Sequence, residues 1–112
     1  MSMTTELEKL YKAFKDEKID YAYNVFPTDA DAPVFPYVTA FVTDGEGFMA
    51  DDSNYYDRMN ISVILFTSKK DPVTEDRVRD VIKSLGLGYT WDESYSTSEK
   101  VYAITYKIQM EA

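Results

Sequence analysis

The chain has 112 residues, 45% of them hydrophobic and 15% aromatic, and 20 acidic residues against 12 basic give a net charge of −8. This size and composition predict one globular domain spanning residues 1–112 with a single core, and exclude a disordered chain. The negative balance opposes direct nucleic-acid binding, which relies on Lys and Arg to neutralise phosphates, and with no cysteine or histidine the chain has no disulfide, thiolate ligand, thiol nucleophile or imidazole base.

The start, MSMTTELEKLYKAFKDE, lacks an apolar core followed by a cleavage site, so no signal peptide is expected. No apolar run approaches the ~20 residues that span a bilayer, so no membrane partner is expected either. Instead Thr5-Glu6-Leu7-Glu8 fits a capping box, and Leu7, Leu10, Tyr11 and Phe14 follow at helical spacing. The spacing predicts a helix over Thr5–Asp16 with those four residues as its apolar stripe.

Ile19 to Phe26 (IDYAYNVF) predicts a strand with Ile19, Tyr21, Tyr23 and Val25 on one face. TDADAPVFP then reads as a loop, its Asp29 and Asp31 shaping turns beside prolines. Tyr37 to Thr43 (YVTAFVT) predicts a second strand. Asp44 to Asp57 reads as a long excursion rich in turn residues, and Met59 to Phe66 (MNISVILF) as a central strand, apolar on both faces late in its run.

Asp71-Pro72 predicts an N-cap followed by proline at the first helical position. Val78, Val81, Ile82 and Leu85 then stand at i, i+3, i+4 and i+7, and Gly86 and Gly88 supply the stop. Tyr89–Tyr95 and Val101–Met110 bracket the polar STSEK and predict a hairpin whose last strand turns Tyr102, Ile104, Tyr106, Ile108 and Met110 to one face. The order α-β-β-β-α-β-β predicts an α+β fold of two layers, a largely antiparallel sheet with two helices on one face.

Candidate chemistry concentrates in TDGEGFMADDSNYY, residues 43–56. Asp44, Glu46, Asp51 and Asp52 could offer oxygen ligands to a hard cation. They miss the calcium-loop spacing, because Phe48 takes the third acidic position, Met49 the glycine and Tyr55 the closing glutamate. The DGEG glycines lack the Gly-Lys-Ser/Thr of a phosphate loop, and Ser53, Ser62 and Ser68 have no histidine to activate them. Paired carboxylates alone do not specify glycosidase chemistry. No enzyme activity, cofactor or metal is expected. What stands out is Phe48, Met49, Tyr55 and Tyr56, four large groups in an acidic excursion, which point to contact with another protein.

From Pro36 onward the chain resembles the tail completion, tail terminator and head–tail joining proteins of long-tailed bacteriophages. The likeness rests on PYVTAFVT before Phe48-Met49-Ala50-Asp51-Asp52 and Tyr55-Tyr56, on Leu65-Phe66-Thr67 leading to Lys70-Asp71-Pro72 and an acidic helix, on Gly88-Tyr89-Thr90-Trp91, and on Ser98-Glu99-Lys100-Val101-Tyr102. It covers about two-thirds of the chain. The resemblance implies a virion protein, present in the host cytoplasm during assembly, that forms a ring, often a hexamer. It also implies contacts with the tail tube and the head connector, and no catalytic residues. The competing expectation from charge alone is a small acidic module that sequesters a basic protein partner.

Overall fold

The computed structural model describes residues 3–50 and 54–111, with the backbone alone at residues 3, 48–50 and 54–57. It comprises α1 (Met3–Asp16), β1 (Tyr21–Tyr23), β2 (Tyr37–Ala50), β3 (Asn54–Thr67), α2 (Pro72–Ser84), β4 (Thr90–Ser96) and β5 (Val101–Glu111). The strands form one sheet in the order β1-β2-β3-β5-β4. All neighbours are antiparallel except β1, which runs parallel to β2. Both helices pack on one face, as the α-β-β-β-α-β-β pattern predicts.

The core forms where period-two and period-3.6 patterns meet. Val38 and Ala40 of β2, Met59, Ile61, Val63 and Leu65 of β3, and Ile104, Tyr106, Ile108 and Met110 of β5 line the covered face. Val78, Val81 and Ile82 of α2 and Leu10 and Phe14 of α1 close over it. Asp71 caps α2 by accepting from the Thr74 amide (3.2 Å) and hydroxyl (2.7 Å), with Pro72 at the first helical position. Lys70 bridges Glu75 of α2 (2.9 Å) and Glu93 of β4, tying the helix start to the sheet edge. Its hydrogen bonds to Glu93, then to Glu75, hold the ammonium above its ordinary pKa.

The opposite face carries a second, smaller core. Tyr37, Ile64, Phe66 and Val101 are buried there, with Phe35, Phe41 and Ala103 packed against them. Its cover is the 24–36 segment. β1 is parallel to the strand that follows it, so the chain must cross a face of the sheet to return. In crossing it lays Phe26 against Phe41 and Phe66 (ring centroids 5.7 and 6.3 Å) and Phe35 against Tyr37 (6.1 Å). Asp29 accepts from the Phe26 amide at 2.8 Å, the turn-shaping role expected of it.

Three expectations are corrected. Helix α1 begins at Met3, so Thr5 lies inside the helix and is not its N-cap. The buried direction of α1 is set by Glu6, Leu10 and Phe14 at i, i+4 and i+8, which leaves Tyr11 on the flank and 46% exposed. The first strand is only Tyr21–Tyr23, because Asn24 takes a left-handed φ of 57° that ends the extended run. Val25 then leaves the ladder and its amide bonds the Thr39 hydroxyl at 2.9 Å.

Candidate protein-contact site

The segment read as an excursion, Asp44–Asp57, is the largest correction. It is the continuation of two strands. β2 and β3 pair from Tyr37↔Phe66 to Ala50↔Asn54. β5 accompanies β3 only over Arg58–Thr67, ending at the Arg58↔Glu111 pair. Beyond Arg58, residues Gly47–Ala50 and Asn54–Asp57 pair only with each other, so the hairpin runs on past the sheet as an arm. The protein measures 52 × 25 × 24 Å, more than twice as long as it is wide.

A bulge marks the base of the arm. The ladder shifts between Val42 and Asp44, so Thr43 is the extra residue. Its hydroxyl donates to the Asn60 carbonyl at 3.0 Å. The Asn60 side-chain amide donates to Asp44 at 2.8 Å, and Gln109 donates to the Asn60 side-chain oxygen at 2.9 Å. This chain of polar contacts fastens β2, β3 and β5 together where the arm departs. Asp44 is therefore part of the clamp between strands. Among the described residues no three carboxylates come together as a metal cluster would require.

Gly45 belongs to the same junction. A Cβ there would stand 2.7 Å from the Arg58 carbonyl oxygen, a contact with backbone that cannot move aside. Gly45→Ala should therefore lower the unfolding free energy by about 1–3 kcal/mol. Urea titration followed by far-UV circular dichroism checks it; an unchanged midpoint would show that the arm base yields freely.

Of the four contact candidates, Phe48 stands opposite Tyr56 and Met49 opposite Tyr55 in the arm ladder. The register thus gathers all four into two adjacent cross-strand pairs. Asp51 and Asp52 lie outside the described residues. By sequence, the stretch from Asp44 to Arg58 carries five carboxylates (Asp44, Glu46, Asp51, Asp52, Asp57) against one guanidinium, a net −4 out of −8 for the whole chain.

Two further surfaces escaped the sequence patterns. The edge strand β4 is exposed along almost its whole length, with Trp91 and Tyr95 at 54% and 46% exposure. Between α1 and β1 lies a groove of about 380 Å³ lined by Thr4, Leu7, Glu8, Tyr11, Tyr21 and Tyr23. Tyr21 stacks on Phe14 (5.7 Å) and meets Tyr11 (5.5 Å). Burial, then the neighbouring Tyr23, pushes the Tyr21 phenol up to about 12. Tyr11 could have signalled the groove, since it sits at the margin of the apolar stripe and not at its centre.

Among the described residues no helix is long and apolar enough to cross a membrane. No protein-family model matches the chain, and no curated protein matches it significantly.

Proposed function

We propose that the protein is a non-enzymatic structural component of a long-tailed phage or prophage particle. In this reading copies of it form a ring, often hexameric in the family it resembles, that completes the tail and joins it to the head. The observation that carries the reading is the arm. A hairpin extended beyond its own sheet gains nothing from its own core, and its outer strand edges offer hydrogen-bonding groups to a neighbour. Two cross-strand pairs of large groups, Phe48 with Tyr56 and Met49 with Tyr55, sit on that extension. The absence of histidine and cysteine from the sequence agrees with a part that holds and does not react. Its partners are then further copies of itself, the tail tube and the head connector.

The test is complementation. Tail-deficient particles supplied with the purified protein should become infectious and carry a ring at the tail end by negative-stain microscopy. Particles that stay non-infectious and ringless would sink the proposal. The net −4 of the Asp44–Arg58 stretch favours a second reading, an acidic module that sequesters a basic partner. Recovery of one stoichiometric basic protein from host lysate, with no tail protein, would select it.

A further inference from the structure

We infer that the α1–β1 groove is the seat for the β2–β3 arm of a second copy of this chain. The inference rests on the ring reading and specifies the contact that would make it. Both partners are asymmetric in chemistry. The groove is walled by Leu7, Tyr11, Tyr21 and Tyr23, with Thr4 and the single carboxylate Glu8 on its α1 side, and Tyr11 and Tyr23 remain 46% and 49% exposed. Lys15 of α1 stands at its Tyr11 wall and Lys12 follows Tyr11 on the same helix, and no carboxylate lies within ion-pair distance of either lysine among the described residues. Lys15 lies 5.9 Å from the centre of the Tyr11 ring, so positive charge borders an aromatic floor. Elsewhere Lys70 and Arg79 are matched to carboxylates within the chain.

The arm offers the complement. It combines a net −3 over residues 47–57 with Phe48, Met49, Tyr55 and Tyr56 held in two adjacent ladder pairs. Successive ladder pairs lie on opposite faces of the hairpin, so one of the two pairs fills the aromatic groove while carboxylates meet the lysines, a pairing that also guides encounter.

The arm cannot fill its own groove. β1 pairs with β2 at Val38–Ala40, whereas Phe48 lies eight residues further along the same strand. At ~3.3 Å per residue that is roughly 25 Å of paired, extended backbone directed away from the groove. The contact must therefore join different copies, arm to groove. Such head-to-tail contact uses two different patches, and it closes into a ring when the rotation between copies allows.

The natural absence of cysteine makes the contact directly testable. Thr4→Cys labels the groove, Ser53→Cys labels the arm between its two strands, and Val73→Cys, 71% exposed on α2, serves as control. Mixed Thr4→Cys and Ser53→Cys proteins should give the mixed disulfide at least about tenfold more often than Ser53→Cys mixed with Val73→Cys. The double variant Thr4→Cys/Ser53→Cys should give a ladder of covalent oligomers. Adding Lys12→Glu and Lys15→Glu to the groove variant should cut the mixed disulfide roughly tenfold with the circular dichroism spectrum unchanged. Mixed disulfide no more frequent than the control, or arm–arm disulfides dominating at every concentration, would overturn the inference. Complementing particles without arm–groove disulfides would remove this contact and leave the ring reading standing. Disulfide ladders without complementation would do the reverse.

Discussion

Tyr106→Ala should cost roughly 3–5 kcal/mol of stability, a large part of the ~5–15 kcal/mol available to a domain of this size. Tyr106 is fully buried in the middle of β5, opposite Val63 of the central strand and Trp91 of the edge strand. Its ring meets Tyr89 edge-on at 5.9 Å, and its hydroxyl donates to the Glu75 carbonyl at 3.4 Å. Alanine would open a ring-sized cavity between sheet and α2 and release that helix's first turn. Tyr106→Phe keeps the ring and loses only the long hydrogen bond, so about 0.5–1.5 kcal/mol is expected. Guanidinium titration of both variants checks the ordering; equal losses would mean that the hydroxyl and not the packed ring holds α2.

A second large effect is expected at high pH. Burial pushes the phenols of Tyr37 and Tyr106 up to about 12, from 10.0 for a free phenol. For Tyr37 the charge of Asp29 adds to burial. For Tyr106 burial is opposed by Arg79 and reinforced by Glu75. The folded state therefore keeps both protons in a range where the unfolded chain gives them up. Below pH ~10 this contribution to stability is fully present; from there to about 12 it is lost as the unfolded state ionises. Each phenol accounts for up to roughly 3 kcal/mol across that interval, so the pair removes several kcal/mol. Urea midpoints should be flat in this respect up to pH ~10 and then fall steeply, with tyrosinate absorbance rising together with unfolding. Tyr106→Phe should shallow the fall by about one proton. If all ten tyrosines titrate before the circular dichroism signal changes, the burial argument fails.

The parts of the fold that read well from sequence are those where several local signals agree. Helix α2 has a capping aspartate, a proline at its first position and an apolar set at i, i+3, i+4 and i+7, and all of them meet the core as expected. β3 and β5 alternate because one face lies under helices, and Ile64 and Phe66 depart from alternation because the crossing segment covers them. The arm was illegible for a physical reason. Alternation is imprinted by a covered face, and Gly47–Ala50 and Asn54–Asp57 pair with each other beyond the reach of β5. With Asp, Gly and Asn in the run, composition favours a turn while backbone pairing decides otherwise. Phe48, Met49, Tyr55 and Tyr56 were nevertheless visible as groups out of keeping with a self-solvating loop. The groove was missed because two of its six lining residues, Tyr21 and Tyr23, are brought to α1 by the three-residue parallel strand, a pairing no local pattern encodes.

The bulge at Thr43 has a mechanical consequence. A one-residue insertion bends and twists the ladder that carries it, so this residue fixes the angle between the arm and the sheet behind it. In a head-to-tail assembly that angle becomes the rotation from one copy to the next. The number of copies needed to complete a circle would then be a geometric constant written at a single backbone position.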